Sequence, residues 1–187
     1  LFTSKNIEYT TVHLDAVDQN AQLTDVASDS REVTPGSLFV CKGASFSPAY
    51  LASAVEAGAV AYLCQQSLAE ELQAVAPNVA AICVDDVRLA MAYAAAGVAG
   101  HPDKKLTTIG ITGTKGKSTC SYMLRAILDG DEPYSKCGVI GGIEVFDGKD
   151  TQPAHNTTPE APELWRHLKH AAEAGLPYLD REISSQG

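Results

Sequence analysis

The fold of the second half of this chain is decided by the stretch Thr108-Ile-Gly-Ile-Thr-Gly-Thr-Lys-Gly-Lys-Ser-Thr119. Residues 107–112 alternate β-branched and small side chains, which is typical of a buried strand. From Cys120 the spacing is helical, and one helix face would carry Cys120, Met123 or Leu124, and Ile127 or Leu128. The glycines between strand and helix let backbone N–H groups converge on an anion, to which the helix N-terminus adds partial positive charge. The stretch therefore predicts a phosphate-binding loop.

The loop is a short variant of the nucleotide-binding pattern, Gly113-Thr-Lys-Gly-Lys-Ser118, because the general pattern would place glycine where Ile111 stands. We expect Lys117 to reach the terminal phosphates of a nucleotide and the Ser118 hydroxyl to ligate Mg²⁺. The residues assigned to the nucleotide are Gly113, Thr114, Lys115, Gly116, Lys117, Ser118 and Thr119. The alternative is a glycine-rich turn that carries an exposed lysine.

The composition predicts a packed protein without a nucleic-acid surface. A length of 187 residues with 45% hydrophobic content suits one large domain or two small ones. The net charge of −9 argues against binding to nucleic acid or to an anionic membrane, because either partner requires a basic surface. No signal segment and no run of about 18 apolar residues is present, so we expect a cytoplasmic protein without membrane insertion.

The cysteines stand at positions 41, 64, 83, 120 and 137, without any C-x-x-C spacing. Each lies in an apolar run. This pattern favours buried, reduced thiols over a zinc or redox site.

Strands and helices alternate in the first hundred residues, which indicates a small α/β domain with parallel strands. Ser47 and Pro48 predict the start of a helix that ends at Gly58. The other expected helices begin at Ser67 and at Asp85 or Asp86. The expected strands are 9–14, 23–27, 38–41, 59–63 and 79–84. We place the domain boundary between residues 1–102 and 103–187, in the polar segment that begins at His101.

The second domain continues as an incomplete parallel sheet of the Rossmann-like type. Strands are expected at 135–140, 143–146 and 178–183, the second in a hairpin with Asp147-Gly148. Thr158 would cap a helix that reaches Ala174. The carboxyl ends of neighbouring parallel strands line one crevice, so Glu182 could share Mg²⁺ with Ser118. The alternative is that Glu182 is a structural residue in a salt bridge.

Four ordered motifs resemble the Mur ligase family, and within it the UDP-N-acetylmuramoyl-tripeptide synthetase branch. They are Asp29-Ser-Arg31 with Pro35-Gly-Ser-Leu-Phe-Val40, Gly110-Ile-Thr-Gly-Thr-Lys-Gly-Lys-Ser118, Asn156-Thr-Thr-Pro159 and Glu182-Ile-Ser-Ser185. The resemblance covers essentially the whole chain. It implies an ATP- and Mg²⁺-dependent amide ligase of peptidoglycan synthesis. Such enzymes phosphorylate the carboxylate of UDP-N-acetylmuramoyl-L-alanyl-D-glutamate, and the amine of a third amino acid then attacks the acyl phosphate.

The resemblance also implies roles for individual residues. Lys117 and Glu182 would be catalytic, and Ser118 with Glu182 would hold Mg²⁺. The substrate-binding residues would be Ser30 and Ser45 at the uridine diphosphate end, and Asn156, Thr157, Thr158 and Ser184 at the muramoyl-peptide end. The third amino acid stays open between lysine, diaminopimelate or another. We expect a monomer.

The chain departs from the family pattern at Lys115, where asparagine is usual, and at Ser118, where threonine is usual. Family ligases have three domains, so we expect the polypeptide of 187 residues to be inactive in ligation by itself. Two other functions stay open. One is a non-catalytic module that binds a nucleotide sugar, and the other is a ligase of the folylpolyglutamate synthetase class, which lacks the motifs of the first domain.

Overall fold

The computed structural model describes residues 7–12, 22–154 and 156–184. The chain divides into two compact units, Leu1–Val98 and Ala99–Gly187. The sequence placed this junction after residue 102. Residues 13–21 include the end of the first expected strand, which lies outside the described residues, as does Ser185 of the last motif.

The first unit contains a five-stranded sheet in the order β1-β5-β4-β3-β2. The strands β2 to β5 are parallel, and β1 adds to β5 in antiparallel orientation. The strands are β1 (Tyr9–Val12), β2 (Val26–Ala27), β3 (Leu38–Val40), β4 (Ala61–Gln65) and β5 (Ala80–Val84). The helices are α1 (Pro48–Glu56), α2 (Ala69–Val75) and α3 (Val87–Val98).

The helix starts of the first unit follow capping chemistry in two of three cases. Ser47 accepts a hydrogen bond from the Ala49 N–H at the start of α1, and Asp86 accepts one from Leu89 at the start of α3. The predicted cap at Ser67 is wrong, because Ser67 lies in a 3₁₀ turn and α2 begins after Leu68 without a side-chain cap. Packing of Ala69 and Leu72 in the core positions this short helix instead.

The core of the first unit is built from apolar residues of the strands and helices. Tyr62, Phe39 and Leu63 are among its largest fully buried side chains. The cluster consists of Phe39, Cys41, Leu51, Ala54, Ala59, Tyr62, Cys64, Ala69, Leu72, Ala76, Ala81 and Cys83. Three of the five cysteines are therefore buried here, as predicted.

The second unit contains a five-stranded sheet in the order β6-β10-β7-β8-β9. The first three are parallel, and β8 and β9 extend the sheet in antiparallel orientation, as the predicted hairpin requires. The strands are β6 (Thr107–Thr112), β7 (Cys137–Ile140), β8 (Glu144–Phe146), β9 (Thr151–Pro153) and β10 (Tyr178–Ile183), and the helices are α4 (Lys117–Asp129) and α5 (Ala161–Glu173). The core cluster is Leu106, Ile140, Val145, Phe146, Leu168, Ala171, Leu176 and Leu179.

Helix α4 fully buries polar residues, and of its predicted apolar face only the alternatives Leu124 and Leu128 are half-buried. Its buried residues are Ser121, Arg125 and Asp129, whereas Met123 and Ile127 are 63% and 77% exposed. Cys120 is also exposed, so the prediction that every cysteine is buried is wrong at this position.

The buried polar face of α4 is matched by polar partners. The Asp129 carboxylate accepts hydrogen bonds from the backbone N–H groups of Tyr134, Lys136 and Cys137, which leads the chain into β7. Arg125 donates to Glu144 at 2.7 Å, and its guanidinium lies 3.5 Å from the Tyr134 ring centroid. These bonds explain why charged residues are tolerated beneath the helix.

The prediction that Thr158 caps α5 is also wrong. The helix begins at Ala161, after Glu160, and Pro162 occupies its first turn. Thr158 does not cap it, because the Thr158 hydroxyl is engaged by β10 and the residue that follows it, Ser184.

Candidate nucleotide and substrate sites

The predicted phosphate-binding loop connects β6 to α4 at the carboxyl end of the sheet. Residues 112–116 are exposed, and Gly116 has φ of +79°, in the left-handed region that favours glycine. No side chain caps the start of α4. The N–H groups of its first turn can therefore donate to an anion, as at other helix N-termini.

Lys117 folds back over this loop. Its Nζ donates a hydrogen bond to the Gly113 carbonyl at 3.0 Å. Ser118 follows in the first turn of α4 and is half-buried, and Thr114, Lys115 and Thr119 are exposed. The ammonium group thus lies against the same backbone that would surround a phosphate.

Glu182 lies close to the loop because of strand register. In the parallel pair β6 and β10, Glu182 is opposite Ile111 and Ile183 is opposite Thr112. The Thr112 hydroxyl donates to the Ile183 carbonyl at 3.1 Å. The end of β10 is therefore held beside the residue that leads into the loop.

The Glu182 carboxylate is held by the two glycines that follow β7. It accepts a hydrogen bond from the Gly142 N–H at 3.3 Å. A side chain at Gly141 would place a Cβ 2.6 Å from the same carboxylate oxygen, so only glycine allows this approach. Gly141 and Gly142 directly follow the predicted strand at 135–140, and two adjacent glycines there were a visible signal, but their contact with Glu182 was not predicted.

Three of the four residues predicted to bind the muramoyl peptide lie near the end of β10 and the glycines that follow β7. The Thr158 hydroxyl bonds with the Ser184 hydroxyl at 3.1 Å and accepts from the Ser184 N–H at 3.0 Å. The Thr157 side chain lies next to Gly142. Asn156 is exposed at the start of the segment.

A buried carboxyl group, Asp180, was not assigned to the site from sequence. It points to the same face of β10 as Glu182, since residues two apart in a strand share a face, and it accepts a hydrogen bond from the Ser121 hydroxyl. Burial raises the pKa of Asp180, and the nearby Glu182 charge acts in the same direction, although the bond from Ser121 opposes them. Despite its charged sequence, β10 is well buried, with Leu179 and Asp180 both at 0% exposure.

The first unit holds a separate cavity of about 570 Å³. Ser30 and Ser45, which lie 15 positions apart in the chain, both line it. Lys42 and Arg31 line it too, as does the edge-to-face pair of Phe46 and Tyr50. The cavity thus combines cations, hydroxyls and aromatic rings, a combination that suits a phosphorylated nucleoside.

The Asp29-Ser-Arg31 motif forms the rim of this cavity. The Asp29 carboxylate accepts hydrogen bonds from both the backbone and the side chain of Arg31, which orders a 3₁₀ turn over Ser30–Glu32. The side-chain bond from Arg31, followed by the backbone bond, lowers the pKa of Asp29 to about 2. The motif therefore shapes the loop that presents Ser30.

Comparison with known proteins finds similarity to Mur ligases. Residues 111–187 match the Mur ligase middle domain. Over 172 residues the chain is 37% identical to the UDP-N-acetylmuramyl-tripeptide synthetase of Latilactobacillus sakei strain 23K. The match covers 90% of this chain and 32% of that protein. The chain therefore contains a Mur ligase middle domain and is similar to Mur ligases over most of its length.

Other Mur ligases show the same relation. The chain is 36% identical over 168 residues to the UDP-N-acetylmuramoyl-L-alanyl-D-glutamate–2,6-diaminopimelate ligase of Clostridioides difficile strain 630, a match that covers 89% of the chain and 33% of that protein. It spans about a third of the length of these relatives.

Solved structures support the fold. The structure of a UDP-N-acetylmuramoyl-L-alanyl-D-glutamate–2,6-diaminopimelate ligase matches this chain with a TM-score of 0.66 at 22% identity. The match covers 95% of this chain and 37% of that one. The MurF ligase of Thermotoga maritima in complex with ADP matches with a TM-score of 0.52 at 18% identity, over 91% of this chain and 34% of that one. Within the described ranges, this chain has no helix long and apolar enough to cross a bilayer.

Proposed function

We propose that this chain forms the nucleotide-sugar-binding and ATP-binding parts of an amide ligase of peptidoglycan synthesis. The ligase would add the third amino acid to UDP-N-acetylmuramoyl-L-alanyl-D-glutamate. The observation that carries the proposal is the arrangement at one end of the second sheet, where the phosphate loop, Glu182 and the Thr158–Ser184 pair meet through the β6–β10 register. The names of the relatives in L. sakei and C. difficile support this substrate class.

The donor groups at this end of the sheet fit ATP and Mg²⁺. The uncapped start of α4 and the left-handed Gly116 form a backbone cradle for phosphate oxygens. The Ser118 hydroxyl and the Glu182 carboxylate are hard oxygen ligands of the kind that Mg²⁺ prefers. When bound, ATP with Mg²⁺ would supply the phosphoryl group that activates the substrate carboxylate as an acyl phosphate.

The chain's own residues would bind, align and neutralise. Lys117 would offset negative charge on the phosphates, and alignment with charge neutralisation is most of what phosphoryl transfer requires of a protein. Thr157, Thr158 and Ser184 would orient the muramoyl peptide next to the loop. Ser30 and Ser45 would bind the uridine diphosphate end in the cavity of the first unit, which Lys42 also lines, together with Arg31 and its carboxylate partner Asp29.

The proposal is tested by two separate calorimetric titrations of the chain, one with ATP and Mg²⁺ and one with UDP-N-acetylmuramoyl-L-alanyl-D-glutamate. Both ligands should bind. Lys117→Ala should weaken ATP binding at least tenfold, about 1.4 kcal/mol, and leave the binding of the nucleotide sugar unchanged. Lys115→Ala is the matched control, since it removes the same charge from an exposed position of the same loop and should have a smaller effect.

The outcomes separate the three functions. Binding of the nucleotide sugar without ATP binding would favour the non-catalytic module. Binding of ATP without the nucleotide sugar would favour a ligase of the folylpolyglutamate synthetase class. Equal effects of Lys117→Ala and Lys115→Ala would remove the specific role of Lys117.

A further inference from the structure

A second cluster of polar residues lies in the second unit, away from the phosphate loop. Asp147 follows β8, and His167 and His170 are one turn apart on the same side of α5. The Asp147 Oδ2 atom lies 2.7 Å from His167 Nδ1 and 2.8 Å from His170 Nδ1. The ligand atoms of all three residues lie within 4.8 Å of one another.

The cluster is largely shielded from water. Asp147 is 4% exposed and His167 is 6% exposed, whereas His170 is half-buried. The other carboxylate oxygen of Asp147 accepts a hydrogen bond from the Lys149 N–H, which orients the group within its turn. Two imidazole nitrogens and one carboxylate oxygen therefore converge from two elements on one small volume.

The second nitrogen of His167 supplies an independent observation. His167 Nε2 is buried without a hydrogen-bond partner in the described structure, and it lies 3.8 Å from Glu163 Oε1. If neutral His167 donates its one proton to Asp147, the bare lone pair of Nε2 faces the Glu163 carboxylate, which is unfavourable. If Nδ1 instead binds a cation, Nε2 carries the proton and points it at Glu163. Metal-bound histidines commonly have a carboxylate in this position.

We propose that Asp147, His167 and His170 form a binding site for a first-row transition metal of the zinc class. Two histidines and one carboxylate are a ligand set that such metals accept, with water in the remaining position. A divalent cation would also compensate the buried negative charge of Asp147. A metal ion bound to these three residues would link the turn at residues 147–150 to α5.

The position of the site indicates a structural role. Strand β8 runs antiparallel to β7, with Phe146 opposite Val139 and Val145 opposite Ile140. Asp147 therefore lies towards the amino end of β7, whereas the phosphate loop and Glu182 lie at the carboxyl ends of β6 and β10. The metal site is thus independent of the proposed ligase chemistry.

The turn that carries Asp147 is packed tightly against the end of α5. Gly148 has φ of +88°, and a Cβ there would lie 2.5 Å from the Ala174 side chain. A bound metal would add a second attachment between the same two segments. We expect it to raise the unfolding temperature of the second unit.

The test uses the chain without a polyhistidine tag, after treatment with a chelator, alkylation of the exposed Cys120 and removal of free metal. Zn²⁺ is titrated in competition with a chromophoric chelator, and Co²⁺ is added to a second sample to record its visible absorption. We expect one equivalent of each metal to bind, with the intense Co²⁺ bands of a low-coordinate site and no sulfur-to-metal charge transfer. Zn²⁺ should also raise the unfolding temperature reported by Trp165 fluorescence.

The decisive variant is His170→Ala, because this half-buried side chain can be removed with little effect on the fold. It should weaken Zn²⁺ binding by at least about tenfold to a hundredfold, which is the loss caused by outer partners of metal ligands alone. Asp147→Asn should do the same, and circular dichroism in chelator checks that each variant folds. His101→Ala is the control, since its imidazole lies 3.7 Å from Asp103 outside the cluster, and it should bind Zn²⁺ as the unmodified chain does.

Two results would overturn the proposal. One is the absence of one-equivalent binding of Zn²⁺ or Co²⁺ to the unmodified chain. The other is equal Zn²⁺ affinity of His170→Ala and His101→Ala. Either result would leave the three residues as a hydrogen-bonded cluster that joins the turn to the helix.

Discussion

The two sheets of this chain share a parallel core, but they differ in how their strands are covered. In the first sheet, all of β3 and the first four residues of β4 are buried. In the second, β6 lies at an edge and is exposed or half-buried along its whole length. Helix α4, which follows β6, exposes Met123 and Ile127, half-buries Leu124 and Leu128, and fully buries polar residues. The first unit thus relies on apolar burial, whereas the segment that carries the phosphate loop relies more on side-chain hydrogen bonds.

The largest expected difference is between two apolar side chains, one in each unit. Leu72→Ala removes a fully buried side chain from the first core and should cost about 2–5 kcal/mol of the free energy of unfolding. Ile127→Ala removes a side chain that is 77% exposed and should change that free energy by less than about 0.5 kcal/mol. Urea unfolding followed by circular dichroism measures both.

Trp165 lets fluorescence report on the second unit alone, because the only tryptophan of the chain lies in α5 of that unit. If the units unfold separately, Leu72→Ala should shift the circular dichroism transition and leave the fluorescence transition in place. A shift of both transitions would mean that the units unfold together. A cost of Ile127→Ala similar to that of Leu72→Ala would contradict the exposed position of Ile127.

Asp129→Ala tests the hydrogen bonds on the buried face of α4. The Asp129 carboxylate accepts three backbone hydrogen bonds and lies 3.6 Å from Arg125. Its loss should destabilise the second unit by at least about 2 kcal/mol, since a single hydrogen bond to a charged group contributes about 1.5–3 kcal/mol. Trp165 fluorescence in urea measures the change, and Asp131→Ala, at an exposed neighbour, is the control. Equal stabilities of the two variants would show that this network contributes nothing.

The smallest expected effect concerns Asp180 and depends on pH. Burial raises the pKa of Asp180 in the folded state above its ordinary value of 3.8. The folded state therefore holds this proton more tightly than the unfolded state, and stability falls as pH rises from 3.8 through the folded pKa. Above that pKa the cost is fully present, so Asp180→Asn should be more stable than the unmodified chain at neutral pH.

The pH dependence of the difference identifies its cause. The stability gain of Asp180→Asn should be greatest at neutral pH and should shrink as pH falls to about 3.8, measured as paired urea midpoints. Asp150→Asn, at an exposed carboxylate, controls for the general effect of lost charge. A gain that stays constant with pH would mean that the amide packs better and that the titration of Asp180 is irrelevant.

Several features of the fold could be predicted because they depend on neighbouring residues. Ser47, Pro48 and Gly58 indicated the limits of α1, and alternating side chains at residues 107–112 indicated β6. The hairpin of β8 followed from the short run at 143–146 and the turn residues Asp147-Gly148 after it. Caps at Ser67 and Thr158 were predicted wrongly, since in each case tertiary contacts decided where the helix begins. Packing of Leu72 positions α2, and β10 with Ser184 engages the Thr158 hydroxyl.

The sequence by itself determined the α/β class and the glycine-rich connection from β6 to α4, because each strand, helix and turn is encoded by the spacing of residues that are close together in the chain. Only the tertiary structure decided which face of α4 is buried, how Gly141 and Gly142 hold Glu182, and that Asp147 meets two histidines of α5. These contacts join residues about 20 to 60 positions apart. Local spacing carries no information about such partners, since they are brought together only when the strands pair and the helices pack.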